Sequence, residues 1–451
     1  MSDLSRRNFM IRAAALGIAA PTAAALLGDG EAAAVAASGP GASLPRPGHD
    51  PVPADSFHPV PRNLPVGPHG APPATASFFD STAAVTDPFQ ILIGQQVYVG
   101  PFARLLAEGA PIRIGGNSNI GDSVTIVSRR QDGPGHLDRD EPGVLIGGCV
   151  IIGHGATVKG PAVIGSPGTT DTALSSNVSF GAEVDGATIG LNCVVGVLAR
   201  VGPGVVLPDN TYVLPGRNVT TQAEATDLTS ATRKVRPMTA ADTASNQTVL
   251  AVNTFFTSAY SQLAADAPDQ LWGISVDPAG SVFNPTREAP TFAGRAVTDP
   301  RFRNRIIGDV RFTDQTKHQI SRVLGDRVAV RADEGTPFTF GTVDGMGDRV
   351  IIHALRDSSM EFGNNVRLGR DVVVHGGGRK EGGGGAGTLP TVFEDDVTLA
   401  DGAVAYRVLL GRGTTLGRRS VVVASDLAAG TVVPDRTVIM NNVVQGYQVE
   451  W

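Results

Sequence analysis

Aliphatic residues recur at every sixth position through most of this chain. Ile114, Ile120 and Ile126 are six apart, as are Ile146, Ile152, Val158 and Ile164, and then Ile189, Val195, Val201, Leu207, Val213 and Val219. A step of six matches neither the 3.6 of a helix nor the 2 of an alternating strand. It is the period of a parallel β-helix, in which each hexad is one short strand and a turn, and three hexads close a triangular coil. The aliphatic residue of each hexad points to the axis. Glycine after it, as in Ile146-Gly147 and Ile189-Gly190, permits the backbone angles of the corner. Stacked coils should lie about 4.8 Å apart, the spacing of neighbouring strands.

The period stops and then returns. Phe340, Met346 and Ile352, then Phe362, Leu368 and Val374, then Leu410, Leu416 and Val422 restore it. The chain is therefore an internal duplication, with Ile126 aligned to Ile352 and Ile152 to Leu368. Loop length differs between the copies: the stretch 128–144 is long and 356–361 is short. The predicted organisation is all-β, two tandem left-handed parallel β-helix domains with an α-helix after the first. Residues 1–37 read as a signal peptide, 38–80 as a Pro/Gly-rich arm, 81–230 as the first β-helix, 231–299 as helix and linker, and 300–451 as the second β-helix. Within the linker, 247–265 reads as an amphipathic helix, and the Gly-dominated stretch 376–389 reads as an inserted loop.

Composition agrees and narrows the function. With 451 residues there is room for two cores, and 56 glycines with only 5% aromatics suit short strands joined by tight turns. A net charge of −6 argues against a nucleic-acid partner, which needs a clustered positive surface. Ser5-Arg6-Arg7-Asn8-Phe9-Met10 is a twin-arginine pattern, followed by an Ala-rich apolar stretch to about Leu27. That stretch is weakly hydrophobic and contains Arg12, so it reads as a cleaved export signal that leaves no membrane span in the mature protein, placing it in the periplasm, cell wall or medium. Cys149 and Cys193 fall at different phases of the repeat and read as packing residues.

Several segments resemble the γ-class carbonic anhydrases. Arg331-Ala332-Asp333-Glu334-Gly335-Thr336-Pro337 is similar to that family's Arg-x-Asp-Glu-Gly-x-Pro segment. Ile351-Ile352-His353 resembles the strand carrying its first metal histidine, and Gly363 through Val374-His375-Gly376 the pair carrying the others. Ile146-Gly147 through Ile152-Gly153-His154-Gly155 and Val158-Lys159 resembles the same pair in the first copy. The resemblance implies three histidines around one zinc ion. Those positions are Val127, His154 and Lys159 in the first copy and His353, Arg370 and His375 in the second, so neither copy is complete and the two are complementary. Because the family places its metal between subunits, the expectation is a composite site of His154 from the first domain with His353 and His375 from the second.

Zinc with three imidazoles and an open fourth position lowers the pKa of a bound water to about 7. Iron suits the same donors. The resemblance implies hydration of carbon dioxide to bicarbonate, with Glu334 as proton acceptor (Glu108 is its counterpart) and Asn253 as an active-site residue from the linker helix. It also implies homo-oligomers built through β-helix faces and an interface ion pair at Arg331 and Asp333. The family's rings of three domains cannot alternate two kinds of domain, which leaves the assembly open. Two departures stand out: the glutamine that orients the reactive oxygen falls at Gly121 and Gly347, and the outer proton-shuttle glutamate at Arg356, beside Asp357. The rival readings are a non-catalytic β-helix scaffold with decayed metal sites and a hexapeptide-repeat acyltransferase, the latter disfavoured by export away from acyl-CoA.

Overall fold

A computed structural model describes residues 58–59, 77–80, 82–129, 143–266, 304–308, 310–313, 319, 322–333, 337–355 and 358–451. The expected signal peptide, Glu334, Arg356 and Asp357 lie outside the described residues. Among those residues no helix is long and apolar enough to cross a membrane.

Successive short strands go to successive sheets. Ile112–Ile114, Asn119–Ile120 and Thr125–Arg129 lie in three different sheets, and Val144–Ile146 then pairs in parallel with Ile112–Ile114 to begin the next coil. The first β-helix has sheets of seven, eight and seven strands, and the second has sheets of eight, six and five. The hexad aliphatics line two separate axes, with Ile120, Ile126, Ile152 and Val158 fully buried in one and Ile352, Val374, Leu410 and Val422 in the other. In the second axis Phe312, Phe340, Phe362 and Phe393 form a column with centroids 4.8, 4.3 and 4.9 Å apart, so each coil repeats the packing of the one before. Cys193 is axial, whereas Cys149 faces outward against Leu250; both are unbridged.

Each β-helix ends in an antiparallel strand, Val235–Pro237 on Thr211–Val213 and Val443–Gln448 on Thr437–Met440. Such a strand covers an edge that would otherwise offer open backbone groups for pairing. The helix of the linker spans Ala240–Asp266, starting earlier than the apolar pattern predicts. The reason is a capping box: Thr239 Oγ1 accepts from Asp242 N–H at 3.2 Å, and the Asp242 carboxylate accepts from Thr239 N–H at 2.8 Å. The helix packs Leu250 on Cys149 and Ile151, and Phe256 and Tyr260 on Phe78 and Tyr98.

The two β-helices meet along an apolar seam. Ile351, Val373, Val404, Val421 and Val438, register neighbours on one sheet of the second, pack with Val197, Leu198 and Val449. The C-terminus fastens this seam: Trp451 Nε1–H donates to Leu198 O at 2.7 Å and Arg217 donates to Glu450 at 2.6 Å.

Candidate metal centre

Alternation along a strand sends Ile352 and Val374 to the axis and their neighbours His353 and His375 outward. These strands are parallel and adjacent, and the two histidines are register partners. The outward ladder continues on both sides, with Arg331 beside His353 and Tyr406 beside His375. His154 comes from the other β-helix, at the corner after Ile151–Ile152, where Gly155 turns the chain with φ +68°. Ring centroids are 5.1 Å apart for His154–His353, 5.4 Å for His154–His375 and 5.1 Å for His353–His375. One nitrogen from each lies within 4.8 Å of the other two, and all three side chains are buried. The chain thus brings together within itself three histidines that the linear sequence scatters over 222 positions.

An imidazole that holds a cation offers one nitrogen and needs an acceptor for the N–H of the other. Each ring has an oxygen near one nitrogen, within hydrogen-bonding geometry at His375 and short of it at the other two. His375 Nδ1 lies 2.6 Å from Gly376 O, His353 Nε2 lies 3.3 Å from Asp333 Oδ1, and His154 Nδ1 lies 3.6 Å from Asp122 Oδ1. Asp122 Oδ1 has no hydrogen-bond partner among the described residues. In the structure His154 Nδ1 accepts instead from Asp122 N–H at 3.0 Å, which puts a lone pair on Nδ1. Holding a cation through Nε2 would take the other tautomer, with the ring rotated so that Nδ1–H leaves the Asp122 N–H and faces Oδ1. The donor set therefore fits a cation that prefers imidazole nitrogen.

The electrostatics suit neutral rings. Burial pushes all three histidines below the ordinary imidazole range; His353 falls to about 4, with the Arg331 charge adding to burial against the upward pull of Asp333. Arg331 is enclosed and donates to Asp122 at 2.9 Å, to Asp333 at 2.9 Å and to Tyr98 OH at 2.6 Å. Burial raises Asp122 to about 6 despite Arg331, while the same guanidinium and His353 hold Asp333 well below the carboxylate range. Tyr260 OH also donates to Asp333, tying the long helix to the second β-helix.

Beside the rings is a cavity of about 180 Å³. Its lining includes the apolar Phe180, Val197, Val423 and Met440 and the polar Asn177, Asn246, Asn253 and Tyr406. Phe180 stacks on His375 at 4.8 Å and on His154 at 5.7 Å. Asn253 is buried on the long helix, its amide donating to Val249 O at 2.8 Å, and it lines the same cavity as the histidines. Glu108 is exposed and does not line it.

The remaining positions are spent otherwise. Val127 and Lys159 are register partners in the first β-helix, as His353 and His375 are in the second. Lys159 pairs with Glu183 at 2.9 Å, and Arg370 is exposed at 3.5 Å from Asp401. Gly121 has a steric reason: a Cβ there would lie 2.9 Å from His154 N and 3.1 Å from its Nδ1. Sequence reasoning missed Asp122, Phe180, Tyr406 and Tyr260. The register Ile120–Ile152 was the usable signal for Asp122, because it puts that residue one coil below His154.

No family model matches the chain. It is 31% identical over 196 residues to a carbonic anhydrase of Methanosarcina thermophila, an alignment covering 40% of this chain and 74% of that enzyme. It is 32% identical over 137 residues to the carboxysome assembly protein CcmM of a Nostoc species, covering 30% of this chain but 23% of that protein. Two solved structures share the general likeness: a hexapeptide transferase family protein of Anaplasma phagocytophilum (19% identity, 44% of this chain, 99% of that chain, TM-score 0.25) and a Bacillus cereus acetyltransferase-like protein (19%, 42%, 94%, 0.19). At these values neither bears on function. The match to three quarters of the Methanosarcina enzyme, on two tandem left-handed β-helices, makes this chain a member of the γ-carbonic-anhydrase family of hexapeptide-repeat proteins.

Proposed function

We propose that this protein hydrates carbon dioxide to bicarbonate at a zinc ion held by His154, His353 and His375. The observation that carries the reading is the convergence of three buried, neutral imidazoles from two domains, each with an oxygen against one ring nitrogen. Zinc so held supplies an acidified water and a Lewis acid. The chain does the rest. Asp122, Asp333 and Gly376 O orient the rings, and Arg331 neutralises the two carboxylates. Phe180 and Val423 supply apolar lining to the cavity beside the rings, and Asn253 lines the same cavity. In this reading Glu334 accepts the proton released.

A non-catalytic scaffold is the second reading. It is favoured by Gly121 and Gly347, which offer no side chain at the position where the resemblance implies an orienting glutamine. One experiment separates the two: metal content and carbon dioxide hydration by stopped flow, with and without chelator, for the protein exported through its own N-terminus. About one metal per chain and chelator-sensitive hydration support the enzyme. Full metal without hydration supports the scaffold, and no bound metal defeats the composite site.

A further inference from the structure

A second groove runs between the two β-helices on the opposite side of the seam, with a volume of about 560 Å³. From the second β-helix it is lined by one corner column, in which Arg327, Arg349 and Asp371 occupy the left-handed position of three successive coils and Arg419 that of the coil after the next, with φ of 60°, 59°, 58° and 53°, and by Asp401. Gly402 holds the same corner between Asp371 and Arg419, and the column is linked by backbone N–H groups, Arg349 to Asp326 O and Asp371 to Asp348 O among them. Coils about 4.8 Å apart put Arg327 one coil from Arg349, and Arg419 on the far side of Asp371 and Gly402. The first β-helix contributes Arg104 and the hydroxyls of Ser123, Thr125 and Thr157, and no acidic residue.

The charges do not cancel. Asp371 is taken by Arg349, at 2.5 and 2.6 Å, and Asp401 by Arg370. The guanidinium groups of Arg104 and Arg327 make no ion pair or hydrogen bond with a described residue, and Arg419 lies 4.3 Å over the Trp451 ring. Burial and the neighbouring Arg436 hold Arg419 below the usual arginine range, against the opposing pull of Glu183. Ser123 Oγ is enclosed and has no hydrogen-bond partner among the described residues. A protein of net charge −6 has thus gathered unpaired cations and hydroxyl donors in one recess.

We propose that this groove binds a small multivalent oxyanion, a phosphate ester or a polycarboxylate, between Arg104 and Arg327 with the Ser123, Thr125 and Thr157 hydroxyls as further donors. Guanidinium groups suit such anions because their planar N–H forks match oxyanion geometry. The site is separate from the histidine cluster and stands whether or not metal binds there.

The test uses the full chain carrying Trp272→Phe, so that Trp451 reports alone. Pyrophosphate and citrate are titrated separately at low salt by calorimetry and by Trp451 fluorescence. The expected result is saturable one-to-one binding of at least one of them, weakened by salt. It should fall at least tenfold in both Arg327→Gln and Arg104→Gln, with circular dichroism and metal content unchanged. Whichever anion binds more tightly names the source class. Absence of saturable binding by both anions, or binding that both variants retain in full, overturns the proposal.

Discussion

Arg331 of the second β-helix donates to Asp122 of the first at 2.9 Å, with both side chains enclosed. Asp122 is also the residue that touches His154, so the domain boundary and the middle histidine share one ion pair. Removing the cation leaves Asp122 and Asp333 buried without their compensating charge, a change that costs about 3–5 kcal/mol. Arg331→Met should lower the stability of the metal-free protein by that order in urea unfolding. A loss below about 1 kcal/mol would show that the pair does not hold the seam.

The histidines make a sharper demand. If one ion bridges the domains, His154→Ala, His353→Ala and His375→Ala should each take metal from about one per chain to near zero, although each removes one donor of three. Metal should also stabilise the wild type, because a ligand that binds only the folded state raises its stability by mass action. The readouts are metal analysis and melting temperature with and without chelator. Wild-type metal content in His154→Ala would defeat the shared centre.

Much of this was readable in the residues, and some of it could not be. The step of six gave the axial column, and the matching slots after Ile352 and Val374 put His353 and His375 on one face. The long helix was legible from its apolar side but not its start, because Thr239 and Asp242 act through capping hydrogen bonds that hydrophobic periodicity ignores. Periodicity also says nothing about how two solenoids dock. That His154 reaches the other pair within one chain depends on the seam of Val197, Leu198, Ile351 and Val373, whose outward apolar side chains look like ordinary strand residues until the partner face is known. Phe180 and Tyr406 were missed for the same reason, since their role is to pack across that boundary.

Gly121 tests the steric argument. Its Cα faces His154 so closely that an added methyl would meet the backbone nitrogen at 2.9 Å and Nδ1 at 3.1 Å. Gly121→Ala should displace the ring and cut metal affinity about 10–100-fold, the usual cost of disturbing the support of a ligand, while far-ultraviolet circular dichroism stays native. A competition assay with a chromophoric chelator measures it. Unchanged affinity would mean that His154 has room to move.

The buried rings also set a pH dependence for the metal-free protein. The three histidines have folded-state pKa values lowered by burial, His353 to about 4, against about 6.5 when unfolded. As pH falls below about 6.5 the unfolded chain therefore takes up protons that the folded chain refuses, and stability drops. Asp122 opposes this, since its raised value near 6 lets the folded state bind one proton early. Three groups outweigh one, so the midpoint of urea unfolding should decline steadily from pH 6.5 toward 4. Replacing His375 by Gln should flatten that slope. A midpoint constant across the window would mean that the rings are not held neutral.

The long helix offers the last test, because Tyr260 is its one described link to the carboxylate that orients His353. Its hydroxyl donates to Asp333 and its ring packs on Phe78 at 4.9 Å. Tyr260→Phe keeps the packing and removes one hydrogen bond to a charged group, which costs about 1.5–3 kcal/mol. Asp333 retains Arg331, so metal content should persist with affinity reduced a few-fold. Urea unfolding and chelator competition on the same variant separate the two effects. A loss of stability with no change in affinity would confine Tyr260 to anchoring the helix. A loss of affinity as well would show that the helix of the linker helps to aim a histidine of the second β-helix.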